Sequence, residues 1–216
     1  MSPDPRAFVL EQTRPGRATL VPEIALRLAS EAVPLWQATE ATLAATGLPP
    51  PYWAFAWPGG QALARELLDR PDRVRGRRVL DVGAGGGIAA IAAAKAGARA
   101  VMAAEIDRFA LAALAINAAD NGAAVTLFDG DPIGRMDLDA QIVLIGDLCY
   151  ERPLAERIVP WLRRLAGAGV EVLLADPGRA YVPKDGLIEL ARHVVPTDLD
   201  LEDRTTREVV IYRVTV

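Results

Sequence analysis

Short apolar runs alternate with longer segments that carry apolar residues at helical spacing through the middle of the chain. Short, fully apolar runs are typical of buried parallel strands, and apolar positions three and four residues apart are typical of helices. The pattern predicts strands over residues 79–82, 125–128, 141–146 and 170–175. It also predicts a strand in the apolar run that ends at residue 105. It predicts helices over residues 61–68, 88–96, 108–119 and 153–165. This alternation predicts an α/β fold with a mostly parallel sheet.

At the two ends of the chain, the pattern of apolar residues defines the boundaries of the predicted elements less sharply. The first 48 residues predict helices over 7–12, 23–30 and 35–46, with Pro22 opening the second. We expect these helices to lie beside the carboxyl edge of the sheet, either as a cover over the ligand and substrate or as a structural cap that contacts neither. After the fifth strand, the pattern predicts a last helix over 186–193. Alternating apolar and polar residues over 194–201 and 207–216 then predict a closing antiparallel strand pair.

Residues 49–60, which read PPPYWAFAWPGG, form what we call the aromatic segment. Its prolines and closely spaced aromatic residues exclude a regular helix or a central strand, so a loop that enters the next helix is predicted. Bulky aromatic residues on loops tend to lie at functional sites. On the aromatic residues alone, a hydrophobic plug on the core is favoured, but the position just before the predicted nucleotide-binding unit favours a functional role for Trp57.

Length and composition limit the classes of protein to consider. With 216 residues, 51% hydrophobic and 24% charged, the chain fits one globular domain with a sizeable core. No apolar run is long enough for a membrane span, and the first residues lack the pattern of a secretory signal. A single cysteine excludes an intramolecular disulfide, so we expect a soluble cytoplasmic protein without a metal site. A net charge of −4 without Lys/Arg clusters argues against nucleic acid as a partner.

The candidate chemistry centres on a glycine-rich turn between the first predicted strand and its helix. Residues 81–87 read DVGAGGG, and an acid, Glu105, ends the next strand. Glycines allow positive φ and a close approach of a ligand to the main chain, while the helix presents unpaired N–H groups. A carboxylate at the end of the second strand can accept both hydroxyls of a ribose. An adenosine-type ligand is therefore expected, with Glu105 as the ribose acceptor and Asp107 as the weaker candidate.

The spacing of the glycines bears on the identity of that ligand. A dinucleotide fingerprint G-x-G-x-x-G that starts at Gly83 requires a glycine where the chain has Ile88. The relaxed form over Gly85, Gly87 and Ala90 fits, but it begins several residues beyond the strand. A nicotinamide-dependent oxidoreductase therefore stays an alternative with a poor glycine register, and an ordinary α/β crossover is another.

Further candidates follow the later predicted strands. Asp131 follows the third strand, where it can reach an adenine amino group or simply stabilise a turn. Asp147 and Tyr150 follow the fourth strand, and ligands collect where strand order reverses, so both are expected to face the reacting group. We expect structural roles for Cys149, which has no histidine nearby in sequence, and for His193, late in a predicted helix.

Five motifs, in this order, resemble those of a known family. They are Trp57-Pro-Gly-Gly60, Asp81-Val-Gly-Ala-Gly-Gly-Gly87, Glu105-Ile-Asp107, Asp147-Leu-Cys-Tyr150 and Asp176-Pro-Gly-Arg179. The second resembles motif I of class I S-adenosylmethionine-dependent methyltransferases. Together they resemble the seven-β-strand protein-lysine methyltransferases of family 16, and among these the electron transfer flavoprotein β-subunit lysine methyltransferases, over about residues 20–216.

The resemblance implies a Rossmann-like, seven-stranded, mostly parallel sheet with a C-terminal antiparallel pair. It also implies S-adenosyl-L-methionine as cofactor and a protein substrate, the electron transfer flavoprotein β subunit. Residues 59–216 would form the methyltransferase domain, and residues 1–58 an N-terminal helical extension and aromatic loop of the same domain. Carried over by position, the cofactor-binding residues would be Trp57, Asp81, Gly83, Gly85, Gly87, Glu105 and Asp131, and the residues at the substrate lysine would be Asp147 and Tyr150.

The implied reaction is an in-line displacement, for which the protein must align the donor with a neutral amine. A lysine has an ordinary pKa of about 10.4, and apolar aromatic walls favour its neutral form. We therefore assign Asp147 to holding and orienting the amine rather than to base catalysis. The alternatives are a methyltransferase that acts on a ribosomal protein or a small amine, and a binding protein without catalytic activity.

Overall fold

A computed structural model describes residues 3–29, 50–197, 202 and 204–216. The helix predicted over residues 35–46 lies outside the described residues. Within the described ranges, none of the helices combines the length and apolar character that crossing a membrane requires. The helices are α1 (Pro5–Gln12), α2 (Pro58–Asp69), α3 (Ile88–Lys95), α4 (Arg108–Asp120) and α5 (Arg152–Gly167), with 3₁₀ turns at Tyr52–Ala54 and Pro71–Arg73. The strands are β1 (Arg14–Ala18), β2 (Val21–Leu28), β3 (Arg78–Val82), β4 (Ala100–Glu105), β5 (Thr126–Asp129), β6 (Ile142–Gly146), β7 (Glu171–Asp176), β8 (Leu187–Pro196) and β9 (Thr206–Val214).

The central sheet has seven strands in the order β5-β4-β3-β6-β7-β9-β8. β3 to β7 run parallel to one another, while β9 is antiparallel to both β7 and β8. The order reverses between β3 and β6, which opens a crevice at the carboxyl ends of these strands. The predicted α/β fold, with a mostly parallel seven-stranded sheet and a C-terminal antiparallel pair, is confirmed.

Helices cover both faces of this sheet. On one face α2 and α3 share a core with β3 and β6, and the alanines Ala90, Ala92 and Ala93 of α3 are fully buried. Small side chains let this helix lie close to the strands, which explains why an alanine-rich segment follows the glycine loop. On the other face α5 contributes Ile158 and Trp161. Trp161 is fully buried against the sheet.

The helix predicted over residues 23–30 is wrong, whereas α1 confirms the one predicted over 7–12. Residues 21–28 form β2, which pairs with β1 in a two-stranded hairpin outside the central sheet. Ile24 and Leu26 are buried two residues apart, which is the period of a strand. Pro22 lies at the register shift between β1 and β2, where no ladder hydrogen bond requires its missing N–H.

The helix predicted over residues 186–193 is also wrong. Residues 187–193 belong to β8, an edge strand that pairs with β9. A register shift between Glu189 and Ala191 breaks the alternation that marks a strand, so the sequence resembles a helix there. The predicted antiparallel pair is confirmed, with its first strand over Leu187–Pro196 instead of 194–201.

The N-terminal elements share their packing with the sheet domain. Val9 of α1 and Trp53 of the aromatic segment are buried in one cluster with Phe109 of α4. The end of β2 is joined to the aromatic segment by a hydrogen bond from Ala29 N to Ala54 O at 2.9 Å. The described part of the extension before α2, residues 3–29 and 50–57, therefore contains a helix and a hairpin that pack on α4.

Candidate active site

A cavity of about 600 Å³ lies at the carboxyl ends of the parallel strands, where the strand order reverses. Ligands collect at this place in sheets of this kind. Its walls are the segments that follow β3 to β7, together with the aromatic segment. The lining includes these residues that the sequence analysis named: Trp57, Gly83, Gly85, Glu105, Asp107, Asp131, Asp147 and Tyr150.

The glycine loop after β3 forms one wall of the cavity. Gly83 and Gly85 have φ of 64° and 52°, in the left-handed region that favours glycine. At Gly83 an added Cβ would also lie 2.9 Å from the side chain of Leu148. Gly87, in contrast, does not line the cavity. It has φ of 85° at the start of α3, and an added Cβ would lie 2.7 Å from Leu114 Cγ, so its backbone shape serves the packing of α3 on α4.

Glu105, at the end of β4, is tied to the glycine loop. Its Oε2 accepts a hydrogen bond from Gly85 N at 3.0 Å. Its Oε1 accepts from Ile106 N at 2.7 Å and from Asp107 N at 3.2 Å. A carboxylate has lone pairs beyond these three bonds, so Glu105 can still accept hydroxyl groups of a ligand. Asp107 caps α4 instead, because its Oδ1 accepts from Phe109 N at 2.8 Å.

Asp81 does not line the large cavity. It is 3% exposed, beneath the glycine loop, and its Oδ2 accepts from Ala90 N at 3.0 Å, which joins β3 to α3. Burial raises the pKa of Asp81 to about 7, opposed by the Ala90 N–H and increased by the charge of Glu105. Together with Gly83 and Gly85 it lines a smaller recess of about 60 Å³.

Asp131 lines the cavity from the segment after β5. Its Oδ1 accepts from Ile133 N at 2.9 Å, which is the turn-stabilising bond that the sequence left as an alternative, and its Oδ2 pairs with the Arg157 guanidinium. Ile106, which the sequence analysis did not single out, also lines the cavity and is 73% exposed. Such an exposed aliphatic side chain offers an apolar surface to a flat ring.

Asp147 stands at the turn from β6 and is held by donors from two elements. Its Oδ2 accepts from Gly59 N at 2.5 Å and from Gly60 N at 3.3 Å, both in the first turn of α2. Its Oδ1 accepts from the Arg179 guanidinium at 3.1 Å. Asp147 also has φ of 58°, a left-handed conformation that aspartate tolerates better than most residues. The carboxylate is therefore fixed in one orientation at the cavity wall.

Burial raises the pKa of Asp147 to about 6. Arg179 opposes this rise, the charge of Asp176 adds to it, and the Gly59 N–H opposes it. Because the pKa stays below neutrality, the side chain is mostly ionised at pH 7. A negative charge, nine-tenths buried at a cavity, favours a cationic or hydrogen-bond-donating partner.

Three aromatic rings line the same cavity as this carboxylate. The Tyr52 ring lies 6.0 Å from the Trp57 ring and 5.9 Å from the Tyr150 ring, in tilted or edge-on arrangements. The indole Nε1 of Trp57 donates to Tyr52 O at 2.7 Å, which fixes the orientation of the ring. The functional interpretation of the aromatic segment gains support from this position, although Trp53 is also buried in the core.

Cys149 and His193, for which the sequence predicted structural roles, are not among the residues that line the cavity. Cys149 is fully buried in the core around α5, and burial raises its pKa to about 12, so it stays a neutral thiol. His193 lies on β8, away from the cavity lining, with its Nε2 3.1 Å from Glu66 Oε2. Glu66 in turn accepts from Arg73 Nε at 2.7 Å.

Arg179 was given no role of its own from the sequence, where it stands only as the last residue of the Asp176-Pro-Gly-Arg179 motif. It lines the cavity, and its guanidinium bridges Asp147 and Glu202, with 2.6 Å to Glu202 Oε1. The guanidinium carbon also lies 5.9 Å from the centre of the Trp57 ring. Glu202 is far from Arg179 in sequence, so no local sequence pattern could have predicted the ion pair between them.

The arrangement has two halves with different chemistry. One half, with the glycine loop, Glu105, Ile106 and Asp131, offers main-chain groups, an acceptor for hydroxyls and an apolar surface. The other half, with Asp147 and the aromatic rings, offers a narrow polar point among apolar walls. A nucleoside-type ligand could bind in the first half with its base and ribose. The part of the ligand beyond the ribose would then lie next to a hydrogen-bond-donating group, such as an amine, bound at Asp147 in the second half.

Comparisons with known proteins identify sequence relatives and a structural neighbour of this chain. Residues 62–142 match the family model of the ribosomal protein L11 methyltransferase (PrmA). The chain is 41% identical to the electron transfer flavoprotein beta subunit lysine methyltransferase of Xenopus laevis, over 94% of this chain and 82% of the relative. It is 37% identical to the human protein of the same name, over 83% of this chain and 68% of the relative. The tRNA (uracil-54, C5)-methyltransferase of Pyrococcus abyssi, crystallised with S-adenosyl-L-homocysteine, shares the fold at a TM-score of 0.57 and 14% identity, over 94% of this chain and 44% of that one.

Proposed function

Because the chain belongs to the family of electron transfer flavoprotein β-subunit lysine methyltransferases, we propose that it methylates a lysine of that subunit with S-adenosyl-L-methionine. One observation carries the proposal. A single cavity places the Glu105 carboxylate, bonded to the glycine loop, on one side and the Asp147 carboxylate among aromatic rings on the other. This is the pair of environments that a nucleoside donor and an amine acceptor require.

The residues around the first half of the cavity fit the cofactor. Glu105 would accept the ribose hydroxyls, Ile106 and Asp131 would flank the adenine, and Gly83 and Gly85 would let the methionine part approach the main chain. Asp81 would act from below by holding the loop to α3. The cofactor, when bound, supplies an activated methyl group on a sulfonium, and the protein supplies alignment.

The residues around the second half fit a lysine side chain. A lysine amine has a pKa of about 10.4 in water, so most of it enters as the ammonium. Asp147 would accept one N–H of this group and orient its nitrogen, while Trp57 and Tyr150 would form apolar walls that favour loss of its proton. The fixed orientation of Asp147 matters here, because an in-line displacement tolerates little misalignment.

Residues 1–58 would serve the site as a cover, and residues 59–216 would carry the cofactor and the chemistry. We place the enzyme in the cytoplasm because the only cysteine, Cys149, is a buried thiol, as is usual in a reducing compartment. The match to the ribosomal protein L11 methyltransferase model keeps a ribosomal protein as a second candidate substrate.

The first test is ligand binding. S-adenosyl-L-homocysteine at about a hundred times its dissociation constant should stabilise the protein by about 2.7 kcal/mol and raise its Tm. NAD at the same concentration should leave the Tm unchanged. Stabilisation by NAD alone would replace the methyltransferase with an oxidoreductase.

The second test is methyl transfer. The protein is incubated with methyl-labelled S-adenosyl-L-methionine and either purified electron transfer flavoprotein β subunit or ribosomal proteins. We expect label on a lysine of the flavoprotein subunit, and the Asp147→Asn variant should lose most of this transfer while still binding S-adenosyl-L-homocysteine. Asp185→Asn, at an exposed surface position, is the matched control. Label on the ribosomal proteins alone would keep the reaction and overturn the substrate.

A further inference from the structure

Two asparagines on one face of α4 hold the N-terminal hairpin. Asn117 Oδ1 accepts from Arg27 N at 2.7 Å, and Asn121 Oδ1 accepts from Ala25 N at 3.0 Å. Residues four apart on a helix lie one turn apart, and residues two apart on a strand lie at a similar distance. The two side chains therefore meet successive main-chain N–H groups of β2, and α4 takes the place of a neighbouring strand.

The donor ends of the two side chains go to different places. Asn121 Nδ2 returns to the hairpin, where it donates to Ala25 O at 2.7 Å, and it also donates to Asn117 O at 2.8 Å. Asn117 Nδ2 turns the other way and donates to Gly86 O, in the glycine loop, at 2.8 Å. Only Asn117 thus bridges the hairpin and the loop.

The contact with Gly86 lies at a crowded point of the loop. An added Cβ at Gly86 would lie 3.0 Å from Trp53 O and 3.4 Å from Asn117 Nδ2. The preceding residue, Gly85, donates its N–H to Glu105. The loop is therefore fixed at two successive residues, by an acid at the end of β4 and by an amide on α4.

Asn117 is built for this bridging task. It is 1% exposed, so both ends of its amide must find partners inside the protein. An apolar side chain would leave a buried N–H of Arg27 and a carbonyl of Gly86 without these bonds. The position also lies beside the smaller recess under the hairpin, which Arg27, Gly85 and Gly86 line as well.

We propose that Asn117 is a positioning residue for cofactor binding, which holds the glycine loop in register with the β1–β2 hairpin. It touches the loop rather than the cofactor, and the inference rests on the proposed function only in that the loop binds S-adenosyl-L-methionine. The hairpin, which precedes the methyltransferase sheet, thereby contributes to the shape of the cofactor site.

The two asparagines provide a matched pair for the test. Asn117→Ala removes one hydrogen bond to the hairpin and Asn121→Ala removes two, so both should lower the Tm. Only Asn117→Ala also releases Gly86. We expect its dissociation constant for S-adenosyl-L-homocysteine, measured by calorimetry, to rise about fivefold to tenfold, and that of Asn121→Ala to stay within about twofold of the wild type. In methyl-transfer assays the KM for the cofactor should rise while kcat at saturation changes little.

A measurement on the wild type covers the case in which Asn117→Ala does not fold. The side-chain amide signals of both asparagines are followed by NMR as S-adenosyl-L-homocysteine is added, and we expect the Asn117 signals to shift and the Asn121 signals to stay. Equal changes in both, or equal affinities of the two variants, would overturn the role of Asn117. Failure of the wild type to bind S-adenosyl-L-homocysteine would instead overturn the proposed function.

Discussion

At the scale of single residues, Glu105 both holds main-chain N–H groups of the protein and, in the proposed function, accepts the ribose hydroxyls of the cofactor. Its carboxylate holds the N–H groups of Gly85, Ile106 and Asp107, and the same charge faces the cavity. Glu105→Gln keeps the shape but replaces one acceptor oxygen by a donor. Hydrogen bonds to charged groups contribute about 1.5–3 kcal/mol, so we expect the dissociation constant for S-adenosyl-L-homocysteine to rise about tenfold to a hundredfold.

Asp129→Asn is the control for this prediction. Asp129 ends the neighbouring strand in register with Glu105, but its side chain is exposed and it does not belong to the cavity lining. Its affinity should equal that of the wild type in the same calorimetric titration. An unchanged affinity of Glu105→Gln would remove the ribose contact from the proposal.

Asp147 predicts a second effect, in the pH dependence of methyl transfer. The rate constant kcat/KM rises with pH because the substrate lysine loses its proton. The pKa of Asp147 is raised to about 6, so below that pH its charge is lost and kcat/KM should fall by an additional tenfold per pH unit. Arg179 faces Asp147 and lowers its pKa, while Asp176 raises it. In Arg179→Gln this additional fall in kcat/KM should therefore begin at a higher pH.

A suitable control is Arg152→Gln, since the Arg152 guanidinium lies over the ring of Tyr181 rather than at Asp147. Its pH profile should follow the wild type. If the additional fall in kcat/KM still begins near pH 6 in Arg179→Gln, then Arg179 does not determine the pKa of Asp147. The fall at low pH would then result from the titration of another group.

At the scale of elements, the start of α2 is fitted closely against the ends of β6 and β7. An added Cβ at Gly59 would lie 2.5 Å from Asp147 Oδ2 and 2.7 Å from Ala175 O, and the second of these is main chain that cannot yield cheaply. We expect Gly59→Ala to lower the free energy of unfolding by about 2 kcal/mol in urea titrations. At Gly60 the nearest atom is Ile88 Cγ2 at 3.1 Å, a side chain, so Gly60→Ala should change stability by less than half as much. Equal losses would mean that the close approach is relieved by movement of the helix.

Elements with their own periodic pattern could be predicted, and elements defined by a distant partner could not. β3 and β6 are short and largely apolar and α3 is rich in alanine, and the alternation of strand and helix predicts that the strands lie parallel in one sheet. β2 is a strand because its main chain forms hydrogen bonds with β1 on one side and with side chains of α4 on the other. β8 is a strand because its main chain pairs with β9. Both segments contain a register shift, which disturbs the alternation that would otherwise mark a strand.

The candidate site follows the same division. The position of Glu105 and Asp147 at the cavity could be predicted, because parallel strands bring their carboxyl ends to one edge. Gly87 shares the glycine motif but belongs to helix packing, which only the contact with Leu114 reveals. The bridges made by Arg179 and Asn117 join segments far apart in sequence, so no local spacing could predict them.

At the scale of the whole molecule, buried acids make the stability depend on pH. The folded-state pKa values of Asp81 and Asp147 are raised to about 7 and about 6, and that of Asp176 is raised as well, mainly by burial. A raised carboxyl pKa means that the folded state binds more protons than the unfolded chain. Its contribution to stability is therefore fully present at low pH and is lost as pH rises through the folded-state pKa.

The stability of the protein should consequently fall between pH 6 and pH 8. For a folded-state pKa of about 7, the Asp81 share of this fall is about 1 kcal/mol in the free energy of unfolding. Asp81→Asn cannot titrate but keeps an oxygen for the Ala90 N–H, so its urea unfolding curves at pH 6 and pH 8 should differ by about that much less than those of the wild type. The comparison uses the difference between two pH values within each protein, so any fixed cost of the substitution cancels. If both proteins lose the same amount, then Asp81 is already ionised at pH 6, and the charge beneath the glycine loop is compensated by groups other than the Ala90 N–H.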